Sequence, residues 1–154
     1  MKVLKLITSI IISFTAGAIG SFVTLPAIPT WYAELDKPFF SPPNWVFGPV
    51  WTILYLLMAI ALWKIWIMPT KQNKKPAYIA FGVQLALNIA WSLVFFGLQL
   101  PWAAVLVIVA LIAAIVVTIR LFWAQSRLAA YLLMPYLLWV LFATALNTGV
   151  AFLN

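Results

Sequence analysis

The chain of 154 residues contains no cysteine and no histidine, and its only acidic residues are Glu34 and Asp36. Without cysteine there is no thiol nucleophile, no disulfide and no thiolate metal ligand. Without histidine there is no imidazole base, and the commonest haem axial ligand is missing. A Ser-His-Asp or Cys-His catalytic arrangement is therefore excluded. A pair of neighbouring carboxylates is also too little for a multi-carboxylate metal site, so no metal site is expected. Charge is scarce throughout: 7% of residues are charged, against 67% hydrophobic and 16% aromatic. A soluble domain carries roughly 25% charged residues, so this composition belongs to a membrane protein. The net charge of +7 is carried by residues that lie between apolar runs. Membrane orientation accounts for them better than nucleic acid, and no nucleic-acid partner is expected.

Five spans fit the length, at roughly 30 residues for each helix and its loop. The sequence predicts an all-α five-helix bundle over the single domain 1–154, with helices at about 6–25, 44–68, 77–98, 102–123 and 129–153. Ala16-Gly17-Ala18 resembles a signal-peptide cleavage site. The uncharged stretch around it is longer than the ~7–15 residues of a signal core, however, so it reads as a span. Residues 26–43, rich in Pro and holding both acids, form the long loop after the first helix. Alternating sides then places Lys2, Lys5, Lys64, Lys71, Lys74, Lys75, Arg120 and Arg127 at one face and only Lys37 at the other. The positive-inside rule turns that asymmetry into an N-terminus inside, a C-terminus outside, and loop 26–43 outside.

The tryptophans sort by depth. Trp45, Trp102, Trp63, Trp66 and Trp123 fall near helix ends, as interfacial anchors do. Trp51 lies about two turns inside the second helix, and Trp91 and Trp139 lie mid-span, where no interfacial belt explains them. Polar residues share their helix faces. Gln84, Asn88 and Ser92 repeat at a four-residue spacing, as do Trp51 and Tyr55, and Trp139, Ala143 and Asn147. Amides in hydrocarbon need partners, so these faces point inward. Two readings are open: hydrogen-bond glue between helices, or an aromatic cavity with polar handles in the outer half of the bundle, lidded by the loop. The spans contain no Asp, Glu or His, which disfavours proton-coupled transport but leaves facilitated passage open. Gly82, Ala86 and Ala90 form a small-residue ladder suited to close helix approach, within one chain or between two. Gly17 and Ser21 repeat that spacing more weakly. Pro135, inside the fifth span, is expected to kink it just before Tyr136.

Three blocks carry a resemblance to a known family. The first is Trp31-Tyr32-Ala33-Glu34-Leu35-Asp36-Lys37-Pro38, continued by Pro42-Pro43 and by Phe47-Gly48-Pro49-Val50-Trp51-Thr52 with Leu54-Tyr55. The second is Asn88-Ile89-Ala90-Trp91-Ser92 with Phe95-Phe96, and the third runs from Pro135 through Trp139 and Ala143 to Asn147. In order and spacing the chain resembles the TspO/MBR family of translocator and tryptophan-rich sensory proteins, formerly the peripheral benzodiazepine receptors. The resemblance implies a five-helix membrane receptor or sensor, often a homodimer, here through Gly82, Ala86 and Ala90, in a bacterial cell membrane. It implies a pocket for tetrapyrroles (protoporphyrin IX, haem) and for isoquinoline and benzodiazepine ligands, with no required cofactor. The implied binding residues are Trp31, Tyr32, Trp51, Tyr55, Asn88, Trp91, Trp139, Ala143, Leu146 and Asn147. Light-dependent porphyrin degradation, proposed for bacterial members, would make Trp31 and Trp139 catalytic. Porphyrin transport and a purely structural role in the membrane are two further readings. One departure stands out. A sterol motif after Asn147 needs a Tyr and then a basic residue, whereas the chain reads Thr148-Gly149-Val150-Ala151-Phe152-Leu153-Asn154.

Overall fold

Apolar runs of this length have one stable solution in lipid, a helix that satisfies its own backbone. The computed structural model describes residues 1–70 and 72–154; Lys71, counted above with the basic cluster, lies outside the described residues. Among the described residues five helices are long and apolar enough to cross a membrane: Lys2–Ala27, Asn44–Ile67, Lys75–Gly97, Pro101–Trp123 and Arg127–Leu153. In chain order they comprise α1 (Lys2–Ala27), a short α2 (Trp31–Glu34), α3 (Phe47–Ile67, entered through a 3-10 turn at Asn44–Val46) and α4 (Lys75–Ser92, ending in a π turn at Leu93–Gly97). They continue with α5 (Pro101–Trp123), α6 (Arg127–Leu132) and α7 (Met134–Leu153). No strand occurs among the described residues.

The helices close into a ring. α1 packs along α3 and α4, α4 along α5, α5 along α7 and α6, and α6 back onto α3. Lipid supplies no hydrophobic drive between helices, so packing and internal polar contacts must hold them. The interior is accordingly dense, with Met58, Ala59, Ala61 and Ile65 of α3 and Tyr136 of α7 all at 0% exposure. Phe22, Leu106 and Leu138 are exposed, as expected of side chains that face acyl chains.

Several boundaries differ from the sequence expectation, each for a local reason. α1 is longer at both ends, running from Lys2 through Pro26, whose missing N–H costs only one bond near the last turn. Loop 26–43 is therefore not wholly irregular, since it gives up two residues to α1 and contains α2. α4 ends in a π turn, in which Leu98 N–H donates to Leu93 O at 2.8 Å. That widened turn leads into the Leu98-Gln99-Leu100 connection, where Gln99 takes a positive φ of 57°. The fifth span is broken rather than kinked. The break falls at Leu133, and Pro135 starts α7 in its first turn, where a proline needs no donor.

The lid is fastened at its far end. Asp36 N–H donates to Asn154 Oδ1 at 3.0 Å, and Asn154 Nδ2 donates to the Asp36 carbonyl at 2.9 Å. Pro38 lies directly against Gly149, and its Cγ leaves no room there for a Cβ. The stretch after α2 is thus held on the end of α7 by a two-bond clasp and a glycine contact.

Candidate functional site

Where α1, α3, α4 and α7 approach the lid they leave a cavity of about 630 Å³. That lies inside the ~300–1,000 Å³ range of small-molecule sites. α3 contributes Phe47, Gly48, Trp51 and Tyr55, each about one turn or less from the next, so the helix presents one aromatic face. α7 contributes Trp139, Ala143, Leu146, Asn147 and Val150, and α4 with its π turn contributes Trp91, Ser92, Phe95 and Phe96. Tyr32 of α2 covers the cavity. The rings are ordered against one another. Trp51 stacks on Tyr55 at 5.6 Å and 29°, and Trp91 stacks on Phe95 at 5.6 Å and 20°. Trp139 packs on Phe47 at 6.0 Å and Phe142 at 5.4 Å.

The polar groups fall into two tiers. Asn88 lies beneath the cavity, buried, and is not part of its lining. Its Oδ1 accepts the Tyr55 O–H at 2.6 Å, and its Nδ2 donates to the Tyr136 hydroxyl at 3.2 Å. This amide joins α3, α4 and α7 and holds Tyr55 in place under Trp51. Asn147 does both jobs: it lines the cavity, accepts Trp91 Nε1–H at 3.0 Å, and donates to the Pro101 carbonyl at 2.9 Å. Trp139 Nε1 is different. It is buried and has no hydrogen-bond partner among the described residues. A buried donor left unmatched costs about 1–3 kcal/mol.

The lid belongs to the same aromatic cluster. Tyr32 packs on Phe96 at 5.7 Å and Phe95 at 6.3 Å, with Lys37 Nζ 4.9 Å from its ring centre. Burial pushes the Tyr32 phenol above its ordinary pKa. Trp31 meets Phe95 edge-on at 5.5 Å but is not in the cavity lining. Of the residues expected at the site, Tyr32, Trp51, Tyr55, Trp91, Trp139, Ala143, Leu146 and Asn147 therefore share the cavity. Trp31 flanks it through Phe95, and Asn88 supports it from below.

Sequence reasoning overlooked the α1 wall, formed by Phe14, Gly17, Gly20 and Ser21 among others. Only the weak Gly17/Ser21 spacing signalled it, and its meaning is specific: a Cβ on Gly17 would lie 2.6 Å from Tyr55 Cε2. The glycine makes room for the ring. Tyr136, fully buried, stands out in the sequence only as the residue after a proline. The ladder faces outward. Gly82 and Ala86 are exposed, and nothing lies within 4 Å of the Gly82 Cβ position. Close packing within one chain is thus not its role.

Comparison with known proteins identifies relatives of the chain. A family model described as the TspO/MBR family matches residues 9–153. A tryptophan-rich protein TspO of Archaeoglobus fulgidus is 46% identical over 154 residues, covering 100% of this chain and 99% of the relative. The human translocator protein is 44% identical over 122 residues, 76% of this chain and 70% of its own. A tryptophan-rich sensory protein of Cereibacter sphaeroides is 35% identical over 124 residues, 80% of this chain and 77% of its own.

Proposed function

The chain belongs to the TspO/MBR family of membrane proteins, and from that premise we propose that it is a receptor or sensor for tetrapyrroles such as protoporphyrin IX and haem, with isoquinoline and benzodiazepine compounds as further ligands. One observation carries the reading. Trp51, Tyr55, Trp91 and Trp139 line a single cavity, with the Asn147 amide among them. Flat conjugated rings suit such walls, since aromatic contacts each add about 0.5–1.5 kcal/mol beyond area burial.

Access fits a ligand dissolved in the membrane. Ala18, Ser21 and Leu25 of α1 and Gly48 and Thr52 of α3 line the cavity and are also exposed, so the ligand enters between these two helices. The basic end of the bundle faces the cytoplasm and the lid faces away from it, by the positive-inside rule. A homodimer through the outward ladder of Gly82, Ala86 and Ala90 is part of the same proposal. In the light-driven degradation reading, Trp139 rather than Trp31 would be the indole in contact with the porphyrin, because Trp31 is outside the lining.

The test is a dark titration of the detergent-solubilised chain with protoporphyrin IX, followed by tryptophan fluorescence, with Trp51→Phe and Trp139→Phe in parallel. Saturable quenching at about one porphyrin per chain, weakened in both variants, is the expected result. Linear, non-saturating quenching that the variants leave unchanged would refute it.

A further inference from the structure

A second concavity lies on the outside of the bundle, at the end away from the lid. It runs between α4 and α5 with a volume of about 510 Å³. Its walls are Ile79 and Val83 of α4 and Val117 and Leu121 of α5, and Lys75 stands at its mouth. The span from Lys75 to Val83 measures about 12 Å along the helix, most of one ~15 Å leaflet. Ile79, Val83 and Val117 are all substantially exposed although they border a groove.

The charge arrangement says what covers them. The chain's only carboxylate side chains, Glu34 and Asp36, lie in the lid region at the opposite end. No acidic side chain of the chain can therefore neutralise a cation at this end. Lys74 is drawn away from the groove, its Nζ donating to the Met68 carbonyl at 2.6 Å. Lys75 is exposed and lines the mouth, where Asn73 Oδ1 accepts its backbone N–H at 3.0 Å and shapes the turn. An apolar trough most of one leaflet deep, with Lys75 as the one cation in its described lining, matches an acyl chain carrying a negative headgroup.

A second copy of the chain matches less well. A two-fold contact centred on the groove would bring two Lys75 residues together with no acid between them. The Gly82/Ala86/Ala90 ladder, by contrast, is centred roughly 11 Å further along α4 and rotated by roughly 50°, so a contact centred on the ladder is not centred on the groove. We propose that the α4–α5 groove is a binding site for one anionic phospholipid, its acyl chain along Ile79, Val83 and Val117 and its phosphate on Lys75. The site is separate from the aromatic cavity and does not depend on what that cavity binds.

The test uses native mass spectrometry of the intact, detergent-purified chain with added phosphatidylglycerol or phosphatidylcholine. One retained phosphatidylglycerol per chain is expected, preferred about fivefold over phosphatidylcholine, as one lysine at an anionic headgroup implies. Lys75→Gln is expected to bring the preference near parity. Ala114→Phe, which fills the groove from α5, is expected to abolish retention. Lys2→Gln, which removes a distant charge at the same end, should leave the preference intact. Porphyrin quenching in each variant confirms that the bundle is folded and its aromatic cavity unaltered; if no porphyrin binds at all, circular dichroism serves as that control. Equal retention of both lipids, or an unchanged preference in Lys75→Gln, overturns the proposal. So does a change in oligomeric state with Ala114→Phe without loss of lipid, which would assign the groove to a second copy. Competition by soluble glycerol 3-phosphate at lipid-like concentrations would overturn the acyl-chain part.

Discussion

Asn88 and Trp139 show how alike two polar side chains look in sequence and how differently they are used. Asn88 is saturated by Tyr55 and Tyr136, while Trp139 Nε1 is buried without a partner among the described residues. Asn88→Ala is expected to lower thermal stability by about 1–2 kcal/mol, because it strands two phenols in the bundle. Ligand affinity should change less, since Asn88 does not line the cavity. Trp139→Phe is expected to do the reverse: little change in melting temperature, and about a fivefold loss of ligand affinity, because the larger indole face lining the cavity is lost. Thermal melts and quenching titrations on both variants check the contrast. The missing histidine has a consequence here too. Haem is expected to bind without strong bis-axial ligation and with little preference over the metal-free ring; a low-spin bis-axial spectrum would contradict this.

At the scale of the element, the lid and α1 depend on glycines. Gly149 lies against Pro38, and Asn154 clasps Asp36 through two hydrogen bonds. Gly149→Ala or Asn154→Ala is therefore expected to free the stretch after α2, seen as faster amide exchange over residues 35–40 and faster ligand release, with the helices intact. Gly17→Val should act on the cavity itself. Its side chain would push the Tyr55 ring away from Asn88 and narrow the aromatic slot, so binding should fall more than helix content. The five spans were legible in the sequence because their apolar length is a direct physical requirement of the bilayer. The break at Leu133 and the π turn at Leu93–Gly97 were not. Hydropathy is blind to a change of hydrogen-bond register, and Pro135 pointed to a disturbance just before Tyr136, whereas the break falls at Leu133.

For the whole molecule, the cavity is electrically quiet. Among the described residues its lining holds no Asp, Glu, Lys or Arg, and the phenol that covers it, Tyr32, is pushed upward by burial. Binding of a neutral isoquinoline-type ligand is therefore expected to stay flat between about pH 6 and pH 9. An inflection in that window, measured by quenching across buffers, would mean that a protein charge reaches the site.

Composition and periodicity by themselves determined the membrane class, the number of spans, the charge asymmetry and which aromatic and polar residues share a helix face. These follow from local rules: apolar length, helical spacing, and the cost of a polar group in lipid. Tertiary structure decided which polar residues face the cavity and which brace it, that Trp31 stands outside the lining, that α1 forms a wall, and that the small-residue ladder looks outward. Those outcomes depend on the rotation of each helix against its neighbours. That rotation is set by contacts between segments far apart in the chain, such as Gly17 with Tyr55 and Asn154 with Asp36. A helical repeat places residues on a common face, but only packing fixes what that face meets.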